Sequence, residues 1–291
     1  MQIKECCWKR RNSVKLYGKL WIPDDPMSVL IVMVHGIGEH SGCYDLLAEK
    51  FASRSVGVLT FDLRGHGRSS GLRGHTSIKV IKEDIRFVIN NMNKNYPDIP
   101  VVLFGHSMGG HMTLSFALDK KVQVQGFIAS SPLLELVRPP SRLVIMSARL
   151  ASHIMPWITV RTGVKSSQLS QNSVKKRSSK TDPLLHKRIS IGLFSDIYTS
   201  CEHILHQKHQ LDVPLLIMHG TEDTLTSYQA SKLFAQNVGT NTSFKQWHGM
   251  HHDLLNDADN EAVFQYLMKW LSTQIIENGS IQNSRKLYRI A

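Results

Sequence analysis

Phe104-Gly105-His106-Ser107-Met108-Gly109-Gly110 is the stretch on which the reading of this chain turns. Val101-Val102-Leu103-Phe104 leads into it as a continuous apolar run, the pattern of a strand covered on both faces. Residues 108–118 follow with a helical pattern. A serine between two glycines, after a strand and before a helix, is the setting of a strained turn that lifts a hydroxyl above the edge of a sheet. A glycine-rich turn that holds a phosphate would use similar residues. The strand before and the helix after favour Ser107 as a nucleophile.

Working outward, strand and helix signals alternate on both sides. Residues 14–22 read as an early strand or hairpin, and Val29–Val34, 56–63, 124–129 and 214–218 as further buried strands. Helical patterns fall at 45–54, 227–237 and 261–276, with a strand at Thr242–Trp247. Another helix starts at Ser77, repeats Ile78, Ile81, Ile85, Val88, Ile89 and Met92 at three- and four-residue spacing, and stops at Tyr96-Pro97. This alternation predicts an α/β fold, a mainly parallel sheet with helices on both faces. The rhythm breaks at 133–200, which is Ser-rich, shows no clear strand and carries one helical pattern at 141–155. The expected organisation is therefore one discontinuous core, 1–132 and 201–277, a helical insertion at 133–200, and a disordered tail at 278–291.

The 291 residues are 42% hydrophobic and 20% charged, enough to bury a sizeable core, and their composition excludes a disordered or collagen-like chain. The net charge of +12 is concentrated in the insertion, where eleven Lys or Arg face three Asp or Glu. Such an excess favours phosphate-bearing surfaces. Nucleic acid is not the expected partner, because no helix-turn-helix, RNA-binding or zinc pattern accompanies the charge. Cys6, Cys7, Cys43 and Cys201 have no metal-like spacing and fit a reducing compartment. No apolar segment reaches the roughly 18–20 residues of a membrane span, and no signal-peptide pattern appears at the N-terminus. A cytoplasmic protein is expected. The Cys6-Cys7 pair beside basic residues is a weak acylation motif.

A serine nucleophile needs a base and an acid to orient that base, in the chain order Ser, acid, His. Asp223, in Met218-His219-Gly220-Thr221-Glu222-Asp223, follows a buried strand and is the candidate acid. Glu222 is its neighbour and rival; Asp196 and Asp212 precede the strand, and Asp62 precedes the serine. The base lies in Trp247-His248-Gly249-Met250-His251-His252-Asp253-Leu254, where spacing alone does not separate His251 from His252. An oxyanion requires two fixed N–H donors. The backbone of Met108 supplies one, and Ile37, in His35-Gly36-Ile37-Gly38, is the candidate for the other.

Several of these stretches resemble the α/β-hydrolase superfamily and, more narrowly, the monoacylglycerol lipase family. They are His35-Gly36-Ile37-Gly38-Glu39-His40-Ser41-Gly42, Asp62-Leu63-Arg64-Gly65-His66-Gly67-Arg68-Ser69-Ser70-Gly71, Gly105-His106-Ser107-Met108-Gly109-Gly110 and Asp182-Pro183-Leu184. The resemblance runs from Val29 to Leu271. It implies an α/β-hydrolase fold with a helical lid over the active site, and a soluble serine hydrolase, peripherally attached to membranes, that releases fatty acid from monoacylglycerol without metal or organic cofactor. It places the base at His252 and matches Asp223, with Leu225 two residues on, to the family acid; Leu225 is also a candidate substrate contact. Glu39 is retained from the family's glycerol-end pocket. Leu143, Met146 and Leu150 in the insertion would line an acyl tunnel, and the basic flanks Arg138, Arg142, Arg149, Lys175, Lys176 and Arg177 would rest on anionic lipid. Three polar positions of the family's head-group pocket are replaced here, by Cys43, Ser179 and Leu255, and a family thiol is Thr226. Those losses open the alternatives of a lysophospholipase or broad carboxylesterase. A catalytically silent lipid-binding module is the remaining alternative.

Overall fold

The computed structural model describes residues 1–10, 13–119, 123–164, 168, 181–256 and 260–277. Its strands are β1 (Gln2–Lys9), β2 (Lys15–Ile22), β3 (Val29–Val34), β4 (Val56–Phe61), β5 (Val101–His106), β6 (Gly126–Ser130), β7 (Thr159–Arg161), β8 (Arg188–Ser190), β9 (Leu215–Gly220) and β10 (Thr242–Trp247). The α-helices are α1 (Asp45–Ala52), α2 (Ile78–Asn95), α3 (Met108–Ala117), α4 (Arg142–Ile154), α5 (Ile191–Leu205), α6 (Tyr228–Asn237) and α7 (Asn260–Leu271).

Eight strands form one sheet in the order β1-β2-β4-β3-β5-β6-β9-β10. The pairs β1–β2 and β2–β4 are antiparallel, and every other pair is parallel. All residues of β3, β4, β5 and β9 are buried, as their continuous apolar runs require of strands with helices over both faces. Within β3 the period of two sends Leu30, Val32 and Val34 to one side, with Ile81, Ile85 and Val88 of α2. Val29, Ile31 and Met33 go to the other, with Phe51 of α1 and Phe264 and Leu267 of α7. Serine hydroxyls start four of the helices: Ser77, Ser141, Ser190 and Ser227 each accept a first-turn N–H.

Two parts of the chain depart from expectation. β1 is an edge strand, exposed over most of its length and paired with β2 from Gln2–Ile22 to Lys9–Lys15. Only Cys6 and Trp8 turn toward the core, too short an apolar stretch to announce a strand. The insertion, expected to hold no clear strand, contains the antiparallel pair β7–β8, whose three-residue strands are too short to show an alternating pattern. α5 then runs without a break across residue 200 and buries Leu193, Ile197, Cys201 and Ile204 in the core beside α2 and α6, so insertion and core meet on one helix. Ser179, Lys175, Lys176, Arg177 and the tail expected at 278–291 lie outside the described residues.

Candidate active site

The strand-to-helix turn after β5 puts Ser107 at φ 55° and ψ −115°, a left-handed backbone on a non-glycine residue. Its neighbours are glycine for a steric reason. A Cβ on Gly105 would lie 2.0 Å from the Gly109 carbonyl oxygen, and one on Gly109 would lie 2.0 Å from the carbonyl oxygen of Val34. The Ser107 N–H donates to Ser130 O at 3.0 Å, and Ser107 O accepts from the Leu133 N–H at 3.0 Å, so the turn is tied down on both sides.

Asp223 sits beyond the carboxyl end of β9, buried, with its carboxylate surrounded by donors. Oδ1 accepts from the Leu225 N–H at 2.7 Å and the Thr226 N–H at 3.0 Å. Oδ2 accepts from Thr226 Oγ1 at 2.7 Å, His219 Nε2 at 3.0 Å and His252 Nδ1 at 2.7 Å. Burial alone would raise this carboxyl's pKa; the charge of His252 and the bonds from His219 and His252 outweigh it and hold the group well below the usual range. His252 is the mirror case. Burial pushes the imidazole down, and the facing Asp223 carboxylate raises it above its ordinary value.

The ring that Asp223 holds is therefore that of His252. His251 is half-buried, and His248 is exposed beside Gln246. Glu222, the rival acid, is exposed, Asp196 accepts the N–H of Ile78 at the start of α2, and Asp62 accepts the N–H groups of Ser41 and Arg68. Gly220 lets the histidine loop settle on the end of β9, since a Cβ there would meet Met250 O at 2.3 Å. The nucleophile turn reaches the same place: the ring of His106, next to Ser107, packs at a tilt against His252 with centroids 4.8 Å apart.

The loop after β3 carries the second oxyanion donor expected, Ile37. Glu39 braces it: one carboxylate oxygen accepts from the Gly36 N–H at 2.9 Å and from the Tyr44 hydroxyl at 2.7 Å. The carboxylate expected at a head-group pocket is thus engaged in shaping the loop. The insertion is fastened to the same loop twice. The His186 N–H donates to Gly38 O at 3.0 Å, and His40 Nε2 donates to Asp182 Oδ2 at 2.8 Å while its Nδ1 accepts from the Gly42 N–H. The rings of His35, His66 and His186 pack at a tilt in sequence behind this joint, 5.1 and 4.6 Å between centroids. Burial lowers the pKa of all three, that of His186 to about 4, so the stack stays neutral.

An apolar cavity of about 380 Å³ opens beside Ile37 and runs along Leu133, Leu136, Phe194, Ile197 and Cys201. Leu143, Met146 and Leu150, expected to line an acyl tunnel, do not line it; they stand 77%, 58% and 72% exposed on the outer face of α4. Helical spacing explains the difference. No residue of α4 is buried; Ile145, Ala148, Ala151 and Ser152 are half-buried on the side facing the protein, and Leu143, Met146 and Leu150 fall on the opposite side. Leu225 does not line the cavity either; its N–H serves Asp223 and its carbonyl accepts from the Val137 N–H. Cys43 is half-buried and Leu255 is buried in the core below α7, so both bring apolar surface where the family resemblance leads one to expect polar groups. Sequence reasoning missed His219, the second imidazole on Asp223. It stands four residues before the acid, but only the end of β9 shows that its ring turns back onto the carboxylate.

Residues 25–259 match the family profile described as serine aminopeptidase, S33 (Hydrolase_4). The chain belongs to this family of α/β hydrolases. The S33 hydrolase is 31% identical over 261 residues to an abhydrolase domain-containing protein of Dictyostelium discoideum, covering 88% of this chain and 28% of that longer one. It is 29% identical over 272 residues to the monoglyceride lipase of Rattus norvegicus, covering 91% of this chain and 89% of the relative. The crystal structure of the Paleococcus ferrophilus monoacylglycerol lipase superimposes with a TM-score of 0.82 at 28% identity, over 89% of this chain and 99% of the other. The S33 hydrolase is thus a serine ester hydrolase of the monoacylglycerol lipase-like group. Among the described residues no helix is long and apolar enough to cross a membrane.

Proposed function

We propose that the protein hydrolyses the ester bond of monoacylglycerol through an acyl-enzyme on Ser107. The observation that carries the reading is the buried 2.7 Å contact between Asp223 Oδ2 and His252 Nδ1, with the strained Ser107 turn alongside. Ser107 Oγ adds to the ester carbonyl and passes its proton to His252 Nε2, while the N–H groups of Ile37 and Met108 hold the oxyanion. The intermediate collapses, the C–O bond to glycerol breaks, and the alkoxide takes the proton from Nε2. Water then adds to the acyl carbonyl, gives its proton to Nε2, and the fatty acid leaves as Ser107 recovers that proton. Asp223 fixes the tautomer of His252 and stabilises the imidazolium in both halves. The apolar cavity beside Ile37 takes the acyl chain. Ser107→Ala is expected to abolish both fluorophosphonate labelling and monoacylglycerol hydrolysis in a folded chain. Full esterase activity in that variant would refute the assignment.

The outer face of α4 supports contact with a lipid surface. Leu143, Met146, Leu150 and Ile154 are exposed there, with Trp157 beyond the helix end and Arg138, Arg142 and Arg161 close by in sequence. An amphipathic helix of this kind lies in the headgroup region, and each nearby cation adds about 1 kcal/mol on anionic lipid. Binding to vesicles that ignores both salt and anionic-lipid content would count against it. A broader ester or lysophospholipid specificity is the second reading, favoured by Cys43 and Leu255 in place of hydrogen-bonding side chains. Monoacylglycerol, lysophospholipid and short soluble esters of matched acyl length separate the two.

A further inference from the structure

We propose that His219 is a positioning residue for the acid of the site: locked by Ser231, its Nε2–H bonds the same carboxylate oxygen as His252 and keeps His252 less basic than Asp223 alone would make it. The inference rests on the reading of Ser107, Asp223 and His252 given above.

The geometry is a carboxylate shared between two imidazoles. His219 and Ser231 are both fully buried, on β9 and α6. His219 Nε2 lies 3.0 Å from Asp223 Oδ2 and 3.2 Å from Thr226 O, two atoms that only accept, so in the neutral ring the proton is on Nε2. Nδ1 then offers a lone pair, and the Ser231 hydroxyl, 2.8 Å away, donates to it. This pairing fixes the tautomer as the partner of a metal-bound histidine does. The ring of Tyr228 stands edge-on at 6.1 Å and closes the remaining side.

The two oxygens of Asp223 have different tasks. Oδ1 is taken by the N–H groups of Leu225 and Thr226, which fix the position of the carboxylate. Oδ2 divides its electron density among His252, Thr226 Oγ1 and His219. Each donor to Oδ2 lowers the proton affinity of the carboxylate and weakens its pull on the His252 imidazolium. Removing His219 therefore makes Asp223 more basic, raises His252, and leaves less of the free base at a given pH. The other titratable groups facing His252 are the carboxylates of Asp253 and Glu39 and the ring of His106; Thr226 Oγ1, 3.1 Å from His252 Nδ1 and 3.4 Å from His219 Nε2, lies between the two imidazoles and donates to Asp223 Oδ2.

The test is the second-order rate of fluorophosphonate labelling of the full-length chain, followed across about pH 5 to 9 so that the acid limb is resolved. His219→Leu is expected to move that limb upward by about half to one unit. Ser231→Ala, which frees the ring to change tautomer, is expected to move it less in the same direction. His219→Gln, whose side-chain N–H can donate from a similar place, is expected to restore most of the wild-type profile. A merely structural histidine would lower thermal stability and leave the limb where it was. An unshifted or downward-shifted limb in Ser231→Ala, a milder change than His219→Leu, would overturn the proposal. Labelling that survives Ser107→Ala would overturn the assignment beneath it, whereas labelling lost in Ser107→Ala alongside an unshifted Ser231→Ala limb would overturn the role of His219 alone.

Discussion

Gly109→Ala tests whether the nucleophile turn depends on how closely α3 approaches β3. The added Cβ would lie 2.0 Å from Val34 O, 2.7 Å from the Val34 carbonyl carbon and 2.8 Å from His35 O, all backbone atoms of a buried strand and the turn after it. No side-chain rotation relieves such a contact, so the start of α3 must withdraw by about 1 Å. Alanine gains about 1 kcal/mol of helix propensity over glycine, while overpacking of this kind costs about 3 kcal/mol or more. The net loss of about 2 kcal/mol should lower Tm by about 3 °C in a chain of this size. Because α3 carries the Met108 N–H and follows directly on Ser107, a displacement of about 1 Å should slow acylation by about 100-fold. The assay is fluorophosphonate labelling at matched folded fraction, with thermal denaturation alongside. Gly110→Ala is the control, since its Cβ would meet Pro132 at 3.0 and 3.1 Å, where a few tenths of an ångström suffice. Wild-type labelling and an unchanged Tm in Gly109→Ala would refute the close-approach argument.

Glu39→Ala should lower kcat by about 10- to 100-fold with little change in KM, because the Gly36 N–H and the Tyr44 hydroxyl lose their acceptor and the oxyanion loop loosens; a raised KM with unchanged kcat would instead mark Glu39 as a substrate contact. The acid limb of kcat/KM should lie above the ordinary imidazole value of about 6.5, since His252 must be neutral to accept the Ser107 proton and Asp223 raises it. Asp223→Asn should move that limb down while cutting the rate by about 10³- to 10⁴-fold. Tyr198→Phe should raise Tm, because the Tyr198 hydroxyl is buried beside the apolar cavity with no hydrogen-bond partner among the described residues and removing it gains about 1 kcal/mol. A fall in Tm would show that the hydroxyl has a partner.

The core of the fold was legible because its strands are buried on both faces. Val29–Val34, Val56–Phe61 and Leu215–Gly220 need no alternating pattern to be recognised. Ser107 was legible for a different reason: the strand before it and the helix after it are both strong, and the two glycines have no room for a side chain. His251 and His252 were not separable, because adjacent residues in a loop differ only in which way each ring turns, and burial against Asp223 settles that. α4 shows the limit of periodicity. Its apolar stripe through Leu143, Met146 and Leu150 is plain in the sequence, but a stripe does not say whether it faces the protein or the outside. α5 was missed because Ser195, Thr199 and Ser200 break up a pattern whose buried members, Leu193, Ile197, Cys201 and Ile204, are correctly spaced for a helix.

The double fastening of the insertion, His186 N–H to Gly38 O and His40 to Asp182, ties it to the loop after β3 at two points. On the proposed reading, any tilt of the insertion, as an acyl chain threads beneath it or leaves, would pull on the Ile37 peptide that is to point at the developing negative charge. The fit of the substrate's tail would in this way be felt at its head, and a poorly seated ester would meet a misaimed donor rather than a competent one.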